Sequence, residues 1–392
     1  MRHRWPQAKQ RTRPLGSFSY SSPSAVRWAS ISPRGVAFIW GLGSIIGPRA
    51  GLTGMSSAAK IRRKYSNAMI KPGVPAPNLA PLMGSDNLRE RGGVTYREIK
   101  ARSLLNRCDS PRMPFTWTVN PYRGCAMGCK YCYAAYTHEF LGLDVPEQFH
   151  SLVYVKTGAE EETTRRLGAI VRRGELIALG TATDPYQPAE TEARVTRRFL
   201  ETVARHHDAR LGIVTKGAII LRDLDVLETI HRRSRLWVRV SLISPHADLV
   251  RRLDPWAPPP AVRIDVMRRL HEAGIDAGLG LAPILPALTD DEPSIDRLLG
   301  EVAAAGVKKM FMNVLFLRSP TKEKYLRWLA AEHPRYLEAY ERAYAGRVYL
   351  HGRYPDRLKE MVRRLKRKHG FLEEEADDRS PAAVPEQLGL WP

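Results

Sequence analysis

The sequence predicts an α/β fold built on a parallel sheet, and three features support that prediction. Six short apolar runs recur between Phe115 and Phe316, amphipathic stretches of helical period lie between them, and polar residues and turn formers gather where the runs end. Six β–α units suit an open doubly wound sheet or an incomplete barrel, and the pattern alone leaves both open.

Residues 1–85 contain thirteen Lys or Arg and no Asp or Glu, with Ser, Pro and Gly throughout. This composition predicts disorder over residues 1–86, either an Arg- and Ser-rich transit-type leader or an upstream extension with Met55 as the true start. The apolar run from Gly35 to Gly47 is too short and glycine-rich to span a bilayer, so no membrane partner is expected. The formal charge of +21 is concentrated in this leader, because the remaining residues hold 49 basic against 41 acidic side chains. The core is therefore only mildly basic, and whole-chain charge is no evidence for nucleic-acid binding.

A lead-in segment is expected over residues 87–110, where Gly93 to Arg107 predicts a short strand and a helix. The core is expected over residues 111–318. Its strands are Phe115–Asn120, Glu175–Gly180, Leu211–Thr215, Trp237–Leu242, Asp276–Ala282 and Lys308–Phe316. Its helices lie near Glu160–Arg173, Glu190–His207, Arg222–Arg233, Ala261–Ala273 and Asp291–Ala305. Residues 319–372 read as a helical extension. Its last helix is basic, with Leu358, Met361, Val362 and Leu365 on one face, and reads as a solvated surface. Residues 373–392 read as a disordered tail.

Potential chemistry concentrates from Asn120 to Tyr136, N-P-Y-R-G-C-A-M-G-C-K-Y-C-Y-A-A-Y. This stretch holds Cys125, Cys129 and Cys132, three of the four cysteines. A disulfide framework belongs to small secreted chains rather than to a long, cysteine-poor one. A structural zinc site wants four protein ligands, and Cys108, seventeen residues before Cys125, lies at an unusual offset and reads as a free buried thiol. Three thiolates also hold three corners of a cubane iron–sulfur cluster, leaving one iron open to a small chelating molecule. Gly124 and Gly128 let the backbone fold tightly at that point. An oxygen-sensitive cluster points to a reducing interior, and a cytoplasmic location is expected.

In a parallel barrel, chemistry collects where the strands end. The second strand runs into G-T-A-T-D-P-Y-Q-P-A-E, Gly180 to Glu190, with Asp184 and Gln187 among prolines. The third ends at Thr215 and Lys216, the fourth at Ser241 and His246, and the fifth near Pro283, Pro286 and Asp290. Taken alone, Lys216 and Ser241 read equally as capping or exposed turn residues, and Asp184 and Asp290 as helix caps. His138 and Glu139 read as a helix-surface pair.

C-x-x-x-C-x-x-C with Tyr131 before the third cysteine resembles the signature of radical S-adenosylmethionine (SAM) enzymes. The motifs G-C-x-x-x-C-x-Y-C-Y, T-D-P-Y-Q-P-x-E, T-K and P-x-x-P-x-x-T-D resemble the spore photoproduct lyase-like, or "DNA repair photolyase", branch from about Thr116 to Asp290. The resemblance implies an incomplete (βα)6 TIM-like barrel and a 4Fe–4S cluster on Cys125, Cys129 and Cys132. It also implies S-adenosyl-L-methionine on the open iron, cleaved to methionine and a 5′-deoxyadenosyl radical after one electron arrives from a flavodoxin- or ferredoxin-type reductant. By the same resemblance, Thr183 and Asp184 contact the methionine end of the cofactor, and Lys216 and Ser241 its carboxylate or ribose. Tyr131 packs near the adenine, and Tyr133 matches an aromatic position of a radical relay.

One departure from the lyase is chemical. Leu179–Asp184 contains no cysteine, and Thr181 stands where the lyase has the thiol that returns a hydrogen atom to its product. A threonine O–H bond is far too strong for that role, which argues against thymine-dimer repair as such. The expectation is a radical SAM enzyme abstracting hydrogen from an unknown substrate. The alternatives are nucleic-acid lesion repair or modification by the same chemistry, and a non-catalytic iron–sulfur or zinc-binding protein.

Overall fold

The structure, a computed structural model, describes residues 89–91, 93–110, 113–141 and 147–372. The expectations for residues 1–86, for Met55 and for residues 373–392 lie outside the described residues.

In chain order the strands are β1 (Arg89–Arg91), β2 (Val94–Lys100), β3 (Leu105–Arg107), β4 (Trp117–Val119), β5 (Tyr122–Arg123) and β6 (Leu152–Thr157). They continue with β7 (Leu176–Leu179), β8 (Arg210–Thr215), β9 (Arg235–Ser241), β10 (Asp276–Ile284) and β11 (Lys309–Val314). The main sheet has the order β11-β10-β9-β8-β7-β4-β3. From β4 to β11 every neighbouring pair is parallel, and β3 adds antiparallel to β4. Among the described residues β4 and β11 do not pair, so the barrel stays incomplete. Ile177, Ile213, Val238 and Leu279 are fully buried, as strands covered on both faces require.

The crossover helices are α1 (Glu160–Arg172), α2 (Val195–Val203), α3 (Leu224–Arg233), α4 (Pro260–Glu272) and α5 (Glu292–Ala304). Each turns an apolar stripe inward; in α5 it is Ile295, Leu298, Leu299 and Val302. The cap of α5 is Asp291, which accepts a hydrogen bond from Ser294 N at 3.0 Å. Asp290, one of the expected capping residues, instead accepts from the Tyr354 hydroxyl at 2.7 Å.

Two parts of the fold differ from the sequence reading. The helix expected before Arg107 is absent, and β2 leads by a turn into β3. Leu104 N donates to Thr163 Oγ1 at 2.9 Å and Leu105 N to Ser103 Oγ at 3.1 Å, which turns the chain into register with β4. The stretch between β4 and β7 also adds β5 and β6 to a second sheet, β1-β2-β6-β5.

After the barrel come α6 (Thr321–Glu332), α7 (Pro334–Ala343) and α8 (Arg353–Lys368). The basic helix α8 buries Leu358, Val362 and Leu365, while Arg364 and Lys368 each lie 2.6 Å from a carboxylate of α5, Glu292 and Asp296. Part of its positive charge is thus paired with carboxylates of α5 at the surface.

His138 is buried, not on a helix surface. It lies in the 3₁₀ stretch Tyr133–Leu141, with Nε2 3.0 Å from Leu152 O and its ring edge-on to Phe149. Burial, helped by the nearby Arg123 charge, pushes its pKa down to about 4 against the pull of the Leu152 carbonyl. The unfolded chain titrates near ~6.5, so this contribution is complete above that pH and is lost as pH falls toward about 4. Denaturant unfolding at pH 7 and pH 5 should show a loss in the wild type of which His138 accounts for roughly 2 kcal/mol. His138→Gln should lose clearly less over the same interval.

Candidate functional site

The cysteine loop leaves the C-terminal end of β4 and turns into the protein rather than over its surface. Cys125 and Cys129 are buried and Cys132 partly so, and all three thiols are free. Gly124 and Gly128 hold φ values of 84° and 74°. A Cβ on Gly124 would lie 2.6 Å from Leu152 O, and one on Gly128 2.9 Å from both Pro255 and Trp256 side-chain carbons. Glycine is therefore required twice, by conformation and by space.

Burial pushes the Cys125 thiol up to about 12, with the charges of Asp184 and Cys132 adding to the effect. Burial and Asp254 raise Cys129 against the opposing charge of Lys216. Burial raises Cys132 against Lys324 and Lys216. The three thiols thus feel one another's charge and that of two lysines, buried Lys324 and partly buried Lys216. Thiolates in this setting need compensating positive charge, which bound iron supplies. Among the described residues no three His, Cys, Asp or Glu side chains are grouped to hold one metal ion. Three free thiols on one loop, with tight glycine turns and lysines nearby, suit a polynuclear cluster.

The loop after β7 braces the cysteine loop. Gln187 is fully buried; its Oε1 accepts from Ala126 N at 2.8 Å and its Nε2 donates to Gly124 O at 3.1 Å. Thr183 Oγ1 donates to the same Gly124 carbonyl at 2.7 Å. Asp184 accepts from Thr215 Oγ1 at 2.6 Å, Lys216 N at 2.7 Å and Tyr186 N at 2.9 Å, which joins the ends of β7 and β8. Both Thr183 and Asp184 have their side-chain oxygens occupied by the protein. Glu190, fully buried, accepts from Thr196 N at 2.9 Å, Arg197 N at 3.1 Å, Arg222 Nη2 at 2.9 Å and the Tyr122 hydroxyl.

Lys216 lies at the end of β8 with its Nζ 5.4 Å from the centroid of the Tyr131 ring. Burial opposes its charge, but Cys129 and Asp254 lift its pKa well above the ordinary lysine value. Asp254 was not singled out from sequence, nor was Arg263 of α4. Both are fully buried, 3.1 Å apart, and Arg263 also donates to Ser241 O at 3.0 Å. Burial works against the Asp254 carboxylate, yet Lys216 and Arg263 hold its pKa below the usual range. Asp254 Oδ1, Arg263 Nη2 and the Tyr131 hydroxyl make no hydrogen bond among the described residues. Ser241, Tyr131, Lys216 and the cysteine loop are thereby linked through one buried polar group. D-P-W-A-P-P-P, just before α4, was the available signal, but neither residue has a local reason to be charged and buried.

Tyr133 packs at 5.4 Å from Phe316, and its hydroxyl donates to Thr181 O. Asn120 donates to Thr181 Oγ1 at 3.0 Å, which ties the end of β7 to the segment preceding the cysteines. Cys108 is a partly buried free thiol between β3 and β4. Among the described residues no helix is long and apolar enough to cross a membrane.

An open six-stranded parallel barrel with three free thiols on its first βα loop is the scaffold of an enzyme. Residues 119–299 match the profile of the Radical SAM superfamily. An uncharacterised protein of Mycobacterium tuberculosis is 34% identical over 301 residues, covering 76% of this chain and 87% of that one. An uncharacterised protein of Methanocaldococcus jannaschii is 26% identical over 250 residues, covering 62% and 85%. Spore photoproduct lyase complexed with dinucleoside spore photoproduct shares the fold, with TM-score 0.54 at 16% identity, covering 83% of this chain and 86% of that one. The chain belongs to the radical SAM superfamily, whose enzymes use a 4Fe–4S cluster and SAM.

Gln187→Leu should leave Ala126 N without a partner in a buried site, at about 1–3 kcal/mol, while Gly124 O keeps Thr183 Oγ1. Denaturant unfolding of the apoprotein is the check, and a loss below about 0.5 kcal/mol would show that the brace is dispensable.

Proposed function

We propose that the protein generates a 5′-deoxyadenosyl radical and uses it to abstract hydrogen from a substrate at the mouth of the barrel. The observation that most supports this is the set of three free thiols, two buried and one partly buried, on the loop after β4, with the partly buried Lys216 beside Tyr131 at the end of β8. A cluster with bound SAM supplies one-electron cleavage of the cofactor.

The chain's own residues then take the following parts. Cys125, Cys129 and Cys132 hold the cluster. Lys216 offers a charge-assisted donor to a carboxylate, with its ammonium kept charged by Cys129 and Asp254. Ser241, buried at the end of β9, and Tyr131 complete the polar and aromatic lining. Thr183 and Asp184 shape the site rather than touch the cofactor through their side chains, because the protein already occupies their oxygens. Tyr133 bridges the third cysteine to the end of β7 through Thr181 O and is the residue best placed to relay a radical.

Anaerobic reconstitution followed by dithionite and SAM should yield 5′-deoxyadenosine, and Cys129→Ala should abolish it. Iron-loaded wild type that forms none would overturn the proposal. A nucleic-acid substrate is the second reading, supported by the dinucleoside photoproduct bound to the similar lyase fold. It predicts oligonucleotide binding whose affinity falls linearly in log units with log salt. Without a thiol at Thr181, the lyase's own hydrogen return is not part of either reading.

A further inference from the structure

Each of the three thiol-bearing residues has its carbonyl oxygen held by a side chain from a distant part of the chain. Cys125 O lies 2.8 Å from His150 Nδ1, which donates in the tautomer protonated there. Cys129 O accepts from Lys324 Nζ at 3.1 Å, and Cys132 O from Thr321 Oγ1 at 2.5 Å. Thr321 and Lys324 sit three residues apart on one face of α6, beyond the residues matched by the family profile. They are 1% and 8% exposed.

Holding a carbonyl does not require a charge. A hydroxyl or amide does it without the desolvation cost of a buried ammonium. The one hydrogen bond described for Lys324 goes to a neutral oxygen, and none of the described ion pairs includes it. Its Nζ is instead seated against the backbone of the second cysteine, with the third cysteine held one turn earlier on the same helix by Thr321. A cation beside the sulfurs stabilises whichever cluster state carries more negative charge. That is the reduced state, and net local charge is one determinant of cluster potential.

We propose that α6 clamps the second and third cysteines through Thr321 and Lys324, and that the Lys324 ammonium raises the potential at which the cluster accepts its electron. Both are positioning residues. The inference rests on the cluster reading above and adds to it how the cluster is poised toward its one-electron reductant.

The test compares anaerobically reconstituted wild type, Lys324→Gln, Lys324→Arg and Thr321→Val by iron content, iron loss to a chelator and EPR-monitored redox titration. Lys324→Gln keeps a donor for Cys129 O but removes the charge. It should hold wild-type iron while its reduced-to-oxidised ratio at fixed potential falls about tenfold, a midpoint ~59 mV lower. Lys324→Arg should restore most of that shift. Thr321→Val should leave the midpoint unmoved and lose iron severalfold faster. Lys324→Gln with full iron and an unmoved midpoint overturns the proposal. Wild type that takes up no cluster overturns the functional reading and this inference with it, so the two failures are told apart by the wild-type iron count.

Discussion

The structure depends on satisfying the backbone of a buried loop that belongs to no sheet or long helix. A buried N–H or C=O without a partner costs about as much as a lost hydrogen bond, so such a loop survives only where side chains reach its polar groups. Here Gln187 and Thr183 serve Gly124 and Ala126, His150 serves Cys125, Lys324 serves Cys129 and Thr321 serves Cys132. The sequence separations run from 25 residues for His150 to 195 for Lys324. The seating of the thiols therefore depends on the docked positions of the loop after β7 and of helix α6.

The buried charges follow the same logic. Replacing a buried ion pair by packed apolar groups is often neutral or stabilising, so Asp254 and Arg263 are not explained by stability alone. What they provide is orientation. Arg263 grips the carbonyl of Ser241 at the end of β9, while Asp254 holds a negative charge near Lys216 and Tyr131. Glu190 does the equivalent for the other side of the mouth, joining Tyr122, Arg222 and the first turn of α2 through one carboxylate. In both cases a charge inside the protein fixes the relative positions of two strand ends.

The barrel was legible in the sequence because each strand and helix carries its own period. All six core strands and the five crossover helices fall where alternation and amphipathicity put them, within a few residues at the ends. The cysteine loop stood out because it holds three of the four cysteines, and its reading as a cluster site came from the resemblance of its motif rather than from spacing alone. The second sheet was not, because β5 is two residues long and β6 follows a helical turn without a break, so neither has a periodic signature. His138 was read as a surface residue because its burial comes from Phe149 and the Leu152 carbonyl, which a local pattern does not report. Asp254, Arg263, Thr321 and Lys324 were missed for the same reason. Their roles are defined by partners between 9 and 195 residues away, and sequence read one window at a time assigns charged helix residues to solvent.

Thr181 shows how far the shared fold constrains chemistry. Its hydroxyl is held by Asn120 and its carbonyl by Tyr133, while Ala182 N donates to Asn120 Oδ1 at 2.7 Å. The end of β7 is thus cross-linked to both flanks of the cysteine loop, by the hydroxyl and carbonyl of Thr181 and by the amide of Ala182. Only the hydroxyl link depends on which residue stands at 181. Two of the three links survive a change of side chain there, so the seating of the loop is largely separable from the identity of that side chain.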